Sequence, residues 1–200
     1  INAIIELWEP GSFGGLAAAE IIFGKINPSG KLPLTIARSV GQLKMFYNHK
    51  HSMYYRDYAI HTNKPLYPFG FGLSYTKFEI SEPELNSSTF IKGKLSVSVD
   101  VKNLGEISGD EIVQLYISDK YSSVTRPVKE LKGFKRVSLK PGELKQITFL
   151  LDKSSFAYYD AEMKYIIEAG KFDILVGNSS RDEDLKKIDF TIKKTIYIKD

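Results

Sequence analysis

The chain has 200 residues, of which 42% are hydrophobic, 26% charged and 12% aromatic, a composition that is typical of one large or two small globular domains and excludes a disordered chain. It contains no cysteine, which excludes disulfide bonds, thiolate metal sites and a cysteine nucleophile, and no run approaches the roughly 20 apolar residues of a membrane span. The net charge of +4 comes from interleaved basic and acidic residues, so no nucleic-acid partner is expected.

Residues 1–73 have the pattern of the end of an α/β unit. Residues 3–8 form a short apolar run, which predicts a strand buried on both faces of a parallel sheet. Because this strand stands at the first residues and no initiator methionine precedes it, we expect a piece of a longer chain.

A glycine-rich turn at 10–15 leads into an alanine-rich stretch, which predicts a helix over residues 16–23 with Gly24 at its C-terminus. We expect Trp8 and Phe23 to pack this helix against the sheet; stacking of Trp8 on a sugar is the alternative.

Residues 40–66 are rich in Tyr, His, Lys and Asn and show no period. So long a loop in a compact domain indicates either a function or close packing on another element. Its candidate substrate-binding residues are Tyr55, Arg56 and Tyr58, because adjacent tyrosine and arginine suit carbohydrate contact; a seam between domains is the alternative that we favour. The loop histidines His49, His51 and His61 lack the spacing of a helical zinc site, so no metal ligand is assigned.

Residues 75–194 contain seven short stretches in which apolar and polar residues alternate, separated by turn signals. They lie at 78–80, 95–101, 113–117, 131–137, 147–151, 172–176 and 188–192. This pattern predicts a mainly β fold, a seven-stranded sandwich of the fibronectin-III or immunoglobulin type.

No stretch has the pattern of a self-sufficient active site, and neither a G-x-S-x-G motif nor a phosphate-binding glycine motif is present. The adjacent carboxylates at 110–111 and 182–184 are predicted to be surface charges, because neighbours on a strand point to opposite faces. The lysine-rich end, Lys186, Lys187, Lys193 and Lys194, is predicted to be a solvated strand that discourages edge pairing. We assign no catalytic residue, metal or cofactor.

Four stretches in chain order resemble the C-terminal part of glycoside hydrolase family 3, the β-glucosidase and β-xylosidase family. The first stretch, within residues 7–24, contains LWEPG, GG and AAAEIIFG. The second is NPSGKLP (27–33) and the third is PLYPFGFGLSYT (65–76). The fourth, within residues 101–134, contains VKN, GDEIVQLY and RPVKELKGF. The resemblance implies that residues 1–73 end the family's α/β sandwich domain and that residues 74–200 form its fibronectin-III-like domain. Gly70 and Gly72, where the chain crosses between the two, are expected to adopt backbone conformations that a side chain would forbid.

The resemblance also implies a retaining, exo-acting β-glycosidase that hydrolyses glycosides or oligosaccharides without a cofactor. Its nucleophile is an aspartate on an N-terminal barrel, and its acid/base glutamate lies upstream of the first motif. Neither position is in this sequence, so the chain alone is expected to be inactive, to stabilise the enzyme and to shape its pocket. Its expected partners are the missing barrel and α/β segments. A homo-oligomer and an extracellular or periplasmic location are left open.

An independent carbohydrate-binding or adhesion module of the fibronectin-III type is the alternative. It would be favoured by a line of exposed aromatic side chains on one face of the sandwich, for which Tyr116, Tyr121, Tyr158 and Tyr159 are the candidates.

Overall fold

The computed structural model describes residues 3–42, 45–51, 57, 62–90 and 93–198. Within these ranges one α-helix, α1, spans Gly14–Ile22, and 3-10 helices cover Gly11–Phe13, Val40–Gln42, Lys153–Ser155 and Asp182–Asp184. The strands of the described ranges are β1 (Phe78–Ile80), β2 (Glu84–Leu85), β3 (Lys94–Asn103), β4 (Gly109–Asp119), β5 (Glu130–Leu139), β6 (Leu144–Asp152), β7 (Tyr158–Tyr159), β8 (Tyr165–Ile167), β9 (Gly170–Gly177), β10 (Leu185–Ile192) and β11 (Ile196–Tyr197).

Two antiparallel sheets form a sandwich. In the first, β3 pairs with β6 along its length and with β1 and β2 on its other edge. The second has the strand order β10-β9-β4-β5, with a bulge opposite Leu115 and Tyr116 of β4. A small third sheet has the strand order β11-β8-β7. All seven strands predicted from alternation are present, and the mainly β sandwich fold is confirmed.

The core lies between the two main sheets and consists of the apolar residues of the alternating pattern. Burial along β3 alternates strictly from Leu95 to Val101, whose apolar side chains are fully buried. Phe156 stands among Phe90, Phe172 and Phe190 with ring centroids 5.1 to 5.7 Å apart. Such tilted and edge-to-face contacts are the arrangement that aromatic rings prefer.

Strand β4 departs from the alternation because it is buried on both faces. Val113, Leu115 and Ile117 face the core, and Gln114 and Tyr116 between them are equally buried. Their face of the sheet is covered by residues that precede the sandwich in the chain. The second face of β4 is therefore where the two parts of the chain meet.

The predicted packing of the N-terminal residues is wrong. Residues 3–8 form no strand, and α1 begins at Gly14 rather than at residue 16. Trp8 and Phe23 are 54% and 86% exposed instead of packing α1 against a sheet. The physical reason is that the described residues supply no sheet beside α1, so its apolar side chains have nothing to pack on. The C-terminal glycine is confirmed, since Gly24 has a φ of +72°.

Among the residues described, no helix is both long enough and apolar enough to cross a membrane.

Candidate functional site

Residues 27–36 and 65–76 lie side by side and are held against β4; we call this contact the seam. The two segments are joined by backbone hydrogen bonds, such as Gly70 N–H to the Leu32 carbonyl at 2.8 Å and Ile36 N–H to the Tyr67 carbonyl at 2.8 Å. Both segments belong to the stretches that carry the family resemblance. The seam thus brings together motifs that are far apart in the sequence.

A buried ion pair fixes the seam. Lys31 Nζ lies 2.7 Å from Glu111 Oε1, and the two side chains are 13% and 5% exposed. Glu111 Oε2 also accepts a hydrogen bond from Asn178 Nδ2 at 3.2 Å. The prediction of Glu111 as a surface charge is therefore wrong, because Lys31 neutralises it inside the seam. Removing either partner would leave a buried charge without compensation.

Gln114 uses its whole amide group in the seam. Its Nε2 donates to the Gly70 carbonyl at 3.0 Å and to the Asn178 carbonyl at 2.9 Å, while its Oε1 accepts from the Tyr116 hydroxyl at 2.5 Å. Burial raises the pKa of Tyr116, so this hydroxyl stays a donor.

Residues 65–76 contain two glycines, Gly70 and Gly72, and each position requires glycine for a different reason. Gly70 has a φ of +78°, as predicted, and a Cβ there would stand 2.1 Å from Gln114 Oε1. Gly72 is required for space rather than for its backbone angle, because a Cβ there would stand 2.1 Å from the Gly30 carbonyl oxygen.

Asn27 closes the other end of the seam. Its Oδ1 accepts hydrogen bonds from Ser74 Oγ at 2.9 Å and from the Tyr75 N–H at 2.8 Å, and its Nδ2 donates to the Ser108 carbonyl at 3.1 Å. Thr76 Oγ1 donates to the fully buried Asn103 at 2.7 Å. These hydrogen bonds join residues 65–76 to residues 27–36 and join both segments to the sandwich.

Tyr47 anchors the start of the polar loop on the same sheet. Its ring stacks on Phe69 at 4.3 Å and meets Tyr116 edge-on at 5.7 Å, while its hydroxyl accepts from the Leu131 N–H at 3.2 Å. Two residues later the His49 carbonyl accepts from the Val128 N–H at 2.8 Å. The start of the loop is thus pinned to the RPVKELKGF motif.

A cavity of about 1210 Å³ lies between residues in 35–38, 45–51 and 63–68 on one side and the outer face of the second sheet on the other, and His49 and His51 are part of its wall. Four carboxylates line it in the described residues: Asp119, Asp173, Asp182 and Glu183. Three of them form ion pairs: Asp173 with Lys120, Asp182 with Lys129, and Glu183 with Lys64. Glycoside hydrolysis needs two available carboxyl groups that face one bond, and the described lining of this cavity does not offer them.

Asp119 is the fourth carboxylate of the cavity. Both of its oxygens are buried, and the backbone N–H of Tyr121 lies close enough to the carboxylate to lower its pKa. Burial raises the pKa of Asp119 to about 6, and the Arg126 guanidinium opposes this rise. Arg126 Nη1 is buried as well and donates to no described group.

Around Arg126 the other polar groups are satisfied. Its guanidinium carbon lies 4.5 Å from the centre of the Tyr158 ring, and the Tyr158 hydroxyl donates to Glu168. This hydrogen bond, together with the Ser123 N–H donated to Glu168 Oε2 at 2.8 Å, holds the pKa of Glu168 below its usual range. Burial raises the pKa of Tyr158.

The candidate substrate-binding residues Tyr55, Arg56 and Tyr58 lie outside the described residues, as does His61. His49 Nδ1 lies 3.0 Å from the Lys50 carbonyl oxygen. In the described ranges no group of three or more His, Asp or Glu is arranged to hold a metal ion.

The four tyrosines of the alternative function do not form an exposed line. Tyr116 and Tyr158 are buried, whereas Tyr121 and Tyr159 are exposed. In the lysine-rich end, Lys186 and Lys187 lie on β10, an edge strand, with solvated side chains, as predicted.

Sequence reasoning missed the roles of Lys31 and Gln114 and the burial of Asp119. A signal existed for Lys31 and Gln114, since both stand in stretches that carry the family resemblance. Asp119 stands in none of them, and nothing in its neighbourhood marks it.

The geometry defines the class first: a fibronectin-type sandwich bound through a polar seam to a segment that precedes it. Residues 1–75 match the glycosyl hydrolase family 3 C-terminal domain, and residues 111–180 match the fibronectin type III-like domain. The chain belongs to glycoside hydrolase family 3 and corresponds to its C-terminal region.

Individual relatives agree with this assignment. The chain is 42% identical to a putative β-xylosidase of Formosa agariphila, over 96% of the chain and 25% of that protein. It is 43% identical to a periplasmic β-glucosidase of Salmonella typhimurium, over 90% of the chain and 25% of that protein. A β-glucosidase from Listeria innocua, solved in complex with glucose, superposes with a TM-score of 0.88 at 36% identity, over 94% of the chain and 27% of that structure. The chain thus spans about a quarter of the length of the curated relatives it matches.

Proposed function

We propose that the chain is the C-terminal region of an exo-acting, retaining β-glycosidase that removes glucose or xylose from glycosides. The observation that carries the proposal is that the family-like stretches, separated by up to about 80 residues, meet at one seam through Lys31, Glu111, Gln114 and Asn27. The relatives that match over nearly the whole chain are named β-glucosidase and β-xylosidase. The catalytic carboxylates belong to other parts of the enzyme.

The role proposed for the chain itself is to stabilise the enzyme and to hold the base of the polar loop. We place the domain boundary after residue 73, with the end of the α/β domain before it and the fibronectin-III-like domain after it. Tyr47 and His49 attach one end of the loop to the sandwich, and Gln42 Nε2 attaches its two ends to each other through the Thr62 carbonyl at 2.7 Å. The described ends of the loop are thereby held next to each other and against the sandwich.

The partner proposed for the N-terminal residues is the rest of the same α/β domain, with the barrel beyond it. Ile4, Trp8, Leu16, Ile22 and Phe23 are more than half exposed. So many exposed large apolar side chains in a stretch of 20 residues are typical of a surface that another part of a protein covers.

The expected activity is tested with the complete reading frame and with residues 1–200 in parallel. We expect the complete protein to release p-nitrophenol from p-nitrophenyl β-D-glucoside or β-D-xyloside with retention of configuration, and residues 1–200 to release none. Hydrolysis by residues 1–200 alone, or no hydrolysis of either glycoside by the complete protein, would contradict the proposal.

Tyr55, Arg56 and Tyr58 remain candidates for substrate contact, with an interdomain seam as the alternative role. In the complete enzyme, Arg56→Ala at a substrate subsite is expected to raise KM while leaving Tm unchanged. A seam residue would instead lower Tm at unchanged KM. Lys140→Ala is the control, because Lys140 has an exposed side chain in the turn after β5 and lies outside this loop.

A further inference from the structure

Residues 27–36 lie on the rest of the seam in the way that an extended peptide lies along a strand edge. The Leu32 N–H donates to the Phe71 carbonyl at 2.8 Å, and the Leu32 carbonyl accepts from the Gly70 N–H at 2.8 Å. Four residues further on, Ile36 forms an antiparallel bridge to the same later segment. In peptide recognition of this kind the backbone hydrogen bonds supply affinity, and pockets for the side chains supply specificity.

Two side chains of this segment enter sites that the later part of the chain forms. The Lys31 ammonium group reaches Glu111, and these side chains are only 13% and 5% exposed. The Asn27 amide accepts from the Tyr75 N–H and donates to the Ser108 carbonyl. The site therefore has a buried carboxylate for a lysine and paired polar groups for an amide four residues before that lysine.

The ends of the polar loop are also joined across the loop. Gln42 Nε2 donates to the Thr62 carbonyl at 2.7 Å, and Arg38 Nε donates to the Lys64 carbonyl at 3.2 Å. Like the contacts of residues 27–36, these hydrogen bonds connect a group that precedes the loop with a group that follows it. A cut inside the loop would remove none of them.

We propose that the sandwich and residues 65–76 form a binding site for residues 27–36 that does not depend on the covalent connection between them. The connection only keeps the segment at a high effective concentration, which is on the order of millimolar for short linkers. The segment therefore stays docked in trans when the chain is cut between residues 51 and 62. It follows that this loop can be nicked or lengthened while the seam persists.

The test uses residues 1–200 with a factor Xa site inserted after residue 54. After complete cleavage, checked on a denaturing gel, the two pieces are applied to size-exclusion chromatography at about 10 µM, roughly 100-fold below the millimolar range. We expect them to co-elute in buffer and to separate in urea. Separate elution in buffer overturns the proposal. Because no glycosidase activity is measured, this result does not bear on the proposed function.

Should the inserted site resist cleavage, residues 1–54 and 55–200 are co-expressed as two chains. We expect the two chains to purify together and to co-elute as the cleaved protein does. Recovery of the two chains as separate species would contradict docking in trans.

A pair of lysine variants in the cleaved protein distinguishes the seam from nonspecific apolar contact. Lys31→Met leaves Glu111 buried without its cation, so the association of the two pieces should weaken at least about 10-fold. Lys25→Met is the matched control, because Lys25 lies on the same piece and is 72% exposed, and its affinity should be unchanged. Analytical ultracentrifugation over a dilution series measures both. Equal affinities for the two variants would overturn the proposal.

A pair of glycine variants tests the same site from the other piece. A Cβ at Gly72 would stand 2.1 Å from the Gly30 carbonyl oxygen, whereas a Cβ at Gly170 would meet its nearest atom at 3.5 Å, an ordinary contact. Gly72→Ala should therefore weaken the association of the pieces, and Gly170→Ala should not. Unchanged affinity in Gly72→Ala would contradict docking of residues 27–36 at this site.

Discussion

The sandwich and the residues in and beside α1 contain similar apolar side chains, but the sandwich buries them and the residues around α1 expose them. Phe156 and Phe172 of the sandwich are each 1% exposed, whereas Phe13 and Phe23 are 77% and 86% exposed. The difference lies in the second layer, because the two sheets cover each other and no described element covers α1. Apolar residues become a core only where a second surface meets them.

The seam, where residues 27–36 and 65–76 lie against β4, is held in a third way. It contains an ion pair, side-chain amides and backbone hydrogen bonds that join residues far apart in the sequence. Polar contacts of this kind specify position, because each buried group needs a particular partner. The sandwich, the seam and the helix therefore predict three different responses to mutation.

The largest effect is expected in the sandwich core. Phe156→Ala empties the centre of the aromatic cluster and should lower the free energy of unfolding by about 3–5 kcal/mol, measured by urea denaturation. Both variants are made in residues 1–200, where Phe23 is 86% exposed; Phe23→Ala is the matched control, and a surface residue of this kind should change stability by less than about 0.5 kcal/mol. Equal losses for the two variants would show that α1 is as well packed as the core, and the contrast between the regions would fail.

A smaller but local effect is expected at the seam. Lys31→Met leaves Glu111 buried and unpaired, at a cost of about 3 kcal/mol, and amide hydrogen exchange should rise in residues 27–36 and 65–76 before it rises in β3 or β9. Uniform loss of protection across the sandwich would contradict a local role for the pair.

Lys25→Met is the control for that variant. Lys25 pairs with Glu20 but is 72% exposed, so its loss should cost at most about 0.5 kcal/mol. In the double variant Lys31→Met/Glu111→Leu no buried charge remains, and much of the lost stability should return.

The third effect separates backbone strain from lack of space. Gly70 and Gly24 both have positive φ angles, +78° and +72°. A Cβ at Gly70 would meet Gln114, whereas a Cβ at Gly24 meets nothing within 4 Å. Gly24→Ala should therefore cost about 1 kcal/mol from strain alone, and Gly70→Ala about 2 kcal/mol or more. Equal values from thermal unfolding would mean that Gln114 yields without cost.

The sandwich was predictable from the sequence because strand burial follows a period of two. The residues from Leu95 to Val101 show on which face each side chain lies without any knowledge of its partner. The seam was not predictable in this way, because Lys31 and Glu111 are 80 residues apart and only the folded chain brings them together. The resemblance identified the stretches that meet but not which atoms pair.

The sequence analysis failed at two places, the apolar run at residues 3–8 and the buried Asp119, and the causes are related. The apolar run at residues 3–8 predicted a buried strand, but burial needs a neighbouring surface that the described residues do not provide. Asp119 escaped prediction for the opposite reason, since a carboxylate at the end of a strand is usually solvated. Its oxygens become buried only in the folded chain, and no local pattern encodes that.

The smallest expected effect is a pH dependence at the end of the sandwich. Hydrogen bonds from Tyr158 and Ser123 hold the pKa of Glu168 below its usual range, which lies near 4.3. A carboxyl whose folded-state pKa is lowered contributes stability that is complete at neutral pH. This stability is lost as the pH falls below the usual pKa and through the lowered folded-state pKa. Glu168→Gln should therefore be less stable than the wild type at pH 7, by less than about 1 kcal/mol because solvent screens the site. Urea unfolding of both proteins at pH 7, 5 and 3 measures the difference, which should shrink as the pH falls below about 4.3 toward the lowered pKa. A difference that persists unchanged at pH 3 would mean that the Glu168 side chain acts through packing rather than through its charge.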